Sequence, residues 1–101
     1  MIQIATIETD KAERLMKALC NHFARKITAR YEGDKGYIEF GDGKCELTAT
    51  SSTLKFQAEA DTADGLEHVK RAVGNHLQRF TIEEDIQITW KDPSLGKQIY
   101  L

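Results

Sequence analysis

The spacing of apolar residues along the chain changes between two periods, and this change predicts the order of the elements. Residues 2–7 are mostly β-branched, which is typical of a strand. From Ala12 the apolar side chains recur every three or four positions, which predicts an amphipathic helix ending near Lys26. Thr9 or Asp10 can cap the start of this helix. Its apolar stripe consists of Leu15, Met16, Leu19 and Phe23.

Four segments of alternating apolar and polar residues follow the first helix. They predict strands at 27–32, 36–40, 44–50 and 54–60, separated by turns rich in Gly, Asp and Ser. In the last three segments one face is apolar, while the other carries Glu, Lys, Gln and Thr. Strict alternation with short turns predicts an antiparallel sheet with one solvated face.

A second helical pattern covers residues 63–80, and a last predicted strand covers 86–90. The resulting order is β-α-β-β-β-β-α-β. Two helices on one face of an antiparallel sheet predict an α+β two-layer sandwich, which resembles the TATA-binding-protein-like arrangement by analogy of order alone. We expect residues 1–91 to form a single α+β domain. For the tail, 92–101, both a flexible course and pairing with a sheet edge stay open.

Composition narrows the classes of function. The 101 residues are 41% hydrophobic, enough for one core, and the net charge is −2. This balance predicts no general attraction to nucleic acid or to an anionic membrane. No apolar run could span a bilayer, and the first ten residues lack the features of a signal peptide. Two cysteines without an export signal predict a cytoplasmic protein with free thiols.

Two fragments of the chain are nearly alike: CNHFAR at 20–25 and GNHLQR at 74–79. A shift of 54 positions superimposes Asn, His and Arg in both, together with the apolar stripes of the two helices. Each helix is also preceded and followed by a predicted strand. We interpret this as an internal repeat of a β-α-β unit, related by an approximate two-fold axis.

The shared register gives His22 and His76 equivalent positions on their helices. At about 100° per residue, each histidine lies on the same border of its apolar stripe. Helices packed about a two-fold axis therefore either bring both rings into a shared groove or turn both away. In the first case the groove predicts a two-histidine site for a metal, haem or small anionic ligand, with Arg25 and Arg79 beside it to clamp an anion. In the second, each histidine covers the core edge and hydrogen-bonds locally.

The two cysteines give little support for a metal centre. Cys20 and His22 lie about 160° apart on a helix and cannot share one ion, and the chain has no CxxC motif. Cys45 lies on an apolar strand face, which predicts a buried small hydrophobe. For Cys20, both burial and a thiol at a pocket edge stay open. A disulfide between them requires Cα atoms within about 7 Å.

Four stretches of the chain resemble the bacterial family catalogued as domain of unknown function 2218. They are LCNHFARK (19–26), GKCELTA (43–49), NHLQRF (75–80) and Trp90, which occur in that order over residues 1–90. The resemblance points to Cys20, His22, Phe23, Lys26, Gly43, Cys45, His76, Arg79, Phe80 and Trp90. Phe23, Gly43, Cys45, Phe80 and Trp90 are expected to be structural. The resemblance also implies a link to iron handling, with a siderophore-interacting flavoprotein as a partner.

Three functions follow as hypotheses. The first is a non-enzymatic ligand-binding or accessory module, with a site formed by His22, His76, Arg25, Arg79 and Cys20. The second is a structural interaction module that forms a homodimer through the solvated sheet face or an edge strand. The third is a thiol-dependent enzyme, which requires Cys20 to be exposed beside a cation.

Overall fold

A computed structural model describes residues 1–80 and 88–93 of the protein, and its elements confirm the predicted α+β class. The order of elements is also as predicted through the second helix. The elements are β1 (Ile2–Glu8), α1 (Ala12–Phe23), β2 (Ala29–Glu32), β3 (Lys35–Glu39), β4 (Lys44–Ala49), β5 (Thr53–Glu59) and α2 (Ala63–Phe80).

The five strands form one antiparallel sheet in the order β1-β5-β4-β3-β2. The hairpin between β2 and β3 has Gly33 at φ +60°, a left-handed conformation that glycine adopts at little cost. Beside the outer edge of β1, Lys91 forms a single antiparallel bridge to Ile4, with both backbone hydrogen bonds at 2.8 Å. Lys91 therefore lies beside β1.

Of the predicted strand at 86–90, the structure describes only residues 88–90. Residues 86 and 87 lie outside the described part of the chain, 88–90 form no ladder, and the bridge falls at Lys91. Ile88 and Trp90 nevertheless both pack against the core, as their alternation predicted. Trp90 lies beside Phe56, with 6.3 Å between ring centroids. Of the tail, only residues 92 and 93 are described.

Both helices cover the same face of the sheet. The apolar residues of α1, α2 and the inward strand positions form one buried cluster. Its largest fully buried side chains are Phe56, Met16, Leu19, Ile38, Leu47, Leu54 and Leu77. The predicted stripes of both helices are therefore confirmed as the inner faces, and the hydrophobic effect holds the two layers together.

The prediction that α1 extends to Lys26 is wrong, because the helix ends at Phe23. After Ala24 the backbone tightens: the Lys26 N–H donates to the Phe23 carbonyl at 3.0 Å, a bond that spans three residues. The Thr28 carbonyl already accepts a bond from the Glu39 N–H at 2.9 Å. Pairing with β3 thus begins at Thr28, and the chain must leave the helix before that point.

The start of α1 is not capped by the side chain of Thr9 or Asp10 in the way the sequence predicted. Lys11 occupies the N-cap position without a side-chain cap bond, and the Thr9 hydroxyl accepts a hydrogen bond from the Lys11 N–H at 3.1 Å. Asp10 therefore does not cap the helix, and the Asp10-x-x-Glu13 spacing, which is typical of a capping box, does not form one; Glu13 forms an ion pair with Lys17 one turn later, at 2.8 Å.

The outer face of the sheet is largely polar. Its described residues include Arg30 stacked on Tyr37 at 5.3 Å and Lys44 paired with Glu59 at 3.6 Å. Among the described residues, Ile2 is the one exposed large hydrophobic residue of this face. Within the described residues, no helix is long and apolar enough to cross a membrane.

Candidate functional site: a groove between the two helices

A groove of about 560 Å³ runs between the end of α1 and one face of α2. On α2 its lining residues follow helical spacing. They are His68, Ala72, His76 and Arg79. On the other side lie the last residues of α1, the turn that follows it, and Phe40 just beyond β3. They are His22, Phe23, Arg25, Lys26, Ile27 and Phe40.

The turn after α1 holds two cations at the groove by backbone hydrogen bonds. The Lys26 and Ile27 N–H groups both donate to the Phe23 carbonyl, at 3.0 and 2.9 Å. The Arg25 N–H donates to the His22 carbonyl at 3.4 Å. Because these bonds fix the backbone, the side chains of Arg25 and Lys26 start from a defined position beside His22.

His22 and His76 face each other in this groove. Their ring centroids are 4.8 Å apart, with 52° between the ring planes. Of the two arrangements that the shared register allowed, the structure therefore has the one in which both rings enter the groove. His76 also forms a local hydrogen bond, as expected of a histidine that covers the edge of the core: its Nδ1 lies 2.7 Å from the Ala72 carbonyl oxygen.

The bond to Ala72 determines the tautomer of His76. A carbonyl oxygen only accepts, so Nδ1 carries the hydrogen and donates it. The Nε2 atom of His76 is then the ring atom that remains for a ligand: an acceptor when the imidazole is neutral, and a donor when it is protonated.

The groove disfavours further positive charge. Burial lowers the pKa of His22 below its ordinary value of 6.5, and the neighbouring His76, Arg25, Arg79 and Lys26 lower it further. Each of these neighbours acts by repelling the imidazolium form. The described lining residues include these cations and no carboxylate, so the electrostatic potential of the groove attracts an anion.

The wall of the groove is a continuous chain of five aromatic rings, which we call the aromatic wall: His22, His76, Phe23, Phe40 and His68. Successive centroids along it are 4.8, 4.5, 5.2 and 5.9 Å apart. Phe23 and Phe40 meet at 78°, an edge-to-face contact that aromatic pairs prefer. The groove thus combines an apolar wall with polar atoms at both ends.

At the far end of the aromatic wall, His68 is paired with a carboxylate. Its Nδ1 lies 2.9 Å from both carboxylate oxygens of Asp42, which precedes β4. The charge of His68 is therefore balanced within the protein when it is protonated, whereas Arg25 and Arg79 at the opposite end have no carboxylate among the described lining residues.

Comparison with known proteins agrees with this fold and sequence pattern. Residues 4–91 match a family described as an uncharacterised protein conserved in bacteria, domain of unknown function 2218. The chain belongs to this family. It is also similar to PA4090 from Pseudomonas aeruginosa, known from an NMR structure: identity is 30%, the TM-score is 0.77, and the match covers 89% of this chain and 94% of that one. The comparison with curated proteins gave no match.

Of the residues to which the family pattern points, Cys20 lies outside the groove. It is 1% exposed and packs on the core side of α1, where a Cβ added to Gly36 would lie 3.0 Å from its Sγ. Burial raises the pKa of the Cys20 thiol, so it stays protonated near neutral pH. The thiol is therefore not at a pocket edge, and the ligand set loses this member.

Cys45 and Gly43, two further family positions, have structural surroundings. Cys45 is fully buried, burial raises the pKa of its thiol, and both cysteines are free rather than bonded to each other. At Gly43 an added Cβ would lie 2.7 Å from Val69 Cγ2 and 2.8 Å from the Glu59 carbonyl oxygen, closer than packing allows. Phe80 ends α2, and its side chain lies outside the described part of the structure.

A metal or haem fits this groove poorly. Two imidazoles on opposite sides of a haem iron would place their centroids about 6 Å apart, further than the 4.8 Å between His22 and His76. No cluster of three or more His, Cys, Asp or Glu side chains suited to a metal occurs in the described part of the chain. The adjacent arginines would also repel a divalent cation.

The groove residues that sequence reasoning missed include two with aromatic rings, His68 and Phe40. His68 had a usable signal, because it lies two turns before His76 and in the same angular sector of α2 as Arg79. Phe40 had none beyond its place on the apolar strand face, because its contact with the helix residue Phe23 is tertiary.

Proposed function

We propose that this groove binds a small organic anion and that the protein is a non-enzymatic ligand-binding or accessory module. One observation carries the proposal: His22 and His76 approach within 4.8 Å in a groove whose described lining includes Arg25, Lys26 and Arg79 but no carboxylate. An anion placed there gains charge-assisted hydrogen bonds and relieves the repulsion among these groups.

The thiol-dependent enzyme and the sheet-mediated homodimer have less support, because the residues they need have unfavourable surroundings. A thiol-dependent enzyme needs a reactive thiolate, and the Cys20 thiol is buried with a raised pKa. A homodimer through the sheet needs an apolar patch on its outer face, where Ile2 is the one exposed large hydrophobic among the described residues. The homodimer, the link to iron handling and the flavoprotein partner stay predictions.

Calorimetric titration with a matched pair of probes tests the proposal. Benzoate and benzamide share one ring and differ in charge. We expect benzoate to bind at least about tenfold more tightly, because only the carboxylate makes charge-assisted bonds. Equal affinities for the two probes, or no heat of binding from either, would contradict the proposal.

Two arginine variants then locate the site. Arg79→Gln removes a cation from the groove and should weaken benzoate binding about tenfold or more. Arg71→Gln is the matched control, since Arg71 is an exposed residue of α2 that does not line the groove. Equal weakening by both variants would mean that the whole protein, and not the groove, attracts the anion.

A further inference from the structure

We propose that the ligand of this groove is an aromatic monocarboxylate, oriented with its carboxylate toward Arg25 and Arg79 and its ring along Phe23 and Phe40. This inference rests on the proposed anion binding and adds the class and the orientation of the ligand. It is carried by two observations on different groups: the aromatic wall and the unequal charge at the two ends of the groove.

The aromatic wall favours a planar, unsaturated body. Phe23 and Phe40 lie in the middle of the wall, 5.2 Å apart, and Phe23 also contacts His76 at 4.5 Å. Phe23 is 7% exposed whereas Phe40 is partly buried, so a further ring would contact chiefly Phe40, in an arrangement in which aromatic contacts exceed simple area burial. A saturated ring of equal size fills the same volume without that contribution.

The charge along the groove orients the ligand and limits it to one carboxylate. His68 and Arg79 are eleven residues apart on α2, about 16 Å along the helix axis. Near Arg79 the described lining is cationic, whereas near His68 the Asp42 carboxylate lies 2.9 Å from the imidazole. A second carboxylate opposite the first would point away from these cations and toward the end of the groove that holds Asp42, whose negative charge disfavours it.

The geometry of His76 gives the carboxylate a specific partner. Because its Nδ1 donates to Ala72, a protonated His76 directs its one remaining N–H donor, Nε2, away from that bond. His22 lies 4.8 Å away, too close for an oxygen between the two rings, so a carboxylate would lie at their shared edge, beside Arg25 and Arg79. The ring of the ligand then extends toward Phe23, the next member of the wall.

Titration with benzoate and cyclohexanecarboxylate tests the aromatic assignment. The two probes have the same charge and similar size, and we expect benzoate to bind about fivefold more tightly. Phe40→Leu should reduce this ratio to near one, while Tyr37→Leu, on the outer sheet face, leaves it unchanged. Equal affinities in the wild type overturn the aromatic assignment.

Terephthalate, which adds a second carboxylate opposite the first, tests the orientation. We expect it to bind more weakly than benzoate despite its larger charge, and Asp42→Asn to remove most of that difference. Tighter binding of terephthalate by the wild type would overturn the monocarboxylate assignment. An unchanged difference in Asp42→Asn would overturn the orientation.

These experiments distinguish failure of the aromatic assignment from failure of the proposed anion binding. If cyclohexanecarboxylate binds as tightly as benzoate and both need Arg79, the anion site stands and the aromatic assignment falls. If none of the carboxylates binds, both proposals fall. Should Phe40→Leu not fold, nuclear Overhauser contacts between benzoate protons and the Phe23 and Phe40 rings of the wild type replace it. Their absence in a saturated complex would overturn the assignment.

Discussion

At the scale of single residues, His22 should link ligand binding to pH. Its pKa is lowered in the free protein by burial and by the neighbouring His76, Arg25, Arg79 and Lys26. A bound carboxylate offsets these charges and raises that pKa, so binding takes up a proton. Benzoate affinity should therefore increase as the pH falls from 8 toward 5, by at most about tenfold per unit for one proton.

Titrations at several pH values check this linkage. The variant His22→Gln should flatten the pH dependence of benzoate affinity. The imidazole of His68 is paired with Asp42, so His68→Gln should leave that pH dependence in place. An affinity that is constant over this range in the wild type, or that decreases as the pH falls, would contradict a carboxylate beside His22.

The same lowered pKa has a consequence for stability. The unfolded chain binds a proton at His22 more readily than the folded one, because the unfolded pKa is near 6.5 and the folded pKa lies below it. The contribution of His22 is therefore present above pH 6.5 and is lost as the pH falls toward the folded pKa. Urea unfolding at pH 7.5 and 5.5 should show a smaller loss of free energy of unfolding for His22→Gln than for the wild type. An equal loss in both would contradict the prediction.

The equivalent positions of His22 and His76 could be predicted from sequence, because they follow from the helical period and a shared register, but the choice between a shared groove and opposite directions depends on how the helices pack. The burial of Cys20 could not be decided in this way. Its position on the other border of the α1 stripe is compatible with solvent or core, and only the close approach of β3 at Gly36 covers it. Contacts of this kind depend on how deeply a helix lies on the sheet.

At the scale of elements, two glycines should respond oppositely to alanine. At Gly43 a Cβ would overlap Val69 of α2 and the β5 carbonyl of Glu59, so Gly43→Ala should destabilise the protein by about 1–3 kcal/mol. At Gly74, inside α2, the nearest atom would be Ile88 Cγ2 at 3.5 Å, an ordinary contact. Gly74→Ala should therefore stabilise by up to about 1 kcal/mol through helix propensity.

Thermal unfolding of the two variants checks this pair. A lower midpoint for Gly43→Ala with a higher one for Gly74→Ala is the expected result. A neutral Gly43→Ala would mean that α2 can move away from the turn before β4, and would remove the reason given for glycine there.

The elements differ in how far sequence determines them. The bounds of α2, 63–80, are as predicted, because its stripe is long and free of competing signals. The end of α1 is not, since pairing of Thr28 with Glu39 overrides the helical pattern that continues to Lys26. The internal repeat inferred from the two NH-x-x-R fragments stays a prediction, as the two helices differ in length, with 12 and 18 residues.

At the scale of the whole molecule, ligand binding should stabilise the fold. The groove joins residues of α1, the following turn and α2 with Phe40, which follows β3, so an occupant binds only when these elements are packed together. Benzoate at a hundred times its dissociation constant should raise the free energy of unfolding by about 2.7 kcal/mol. Thermal unfolding with and without benzoate measures this, and benzamide at the same concentration should leave the midpoint unchanged. An equal rise with both would point to binding without a role for charge.

The central claim is that the groove binds an anion at His22 and His76. An NMR titration of their imidazole signals with benzoate tests it most directly. We predict that the signals of His22 and His76 shift together and saturate with one dissociation constant, while Arg79→Gln greatly weakens the effect. Shifts that stay linear in benzoate, or that leave both histidines unchanged while benzoate binds elsewhere, would contradict the claim.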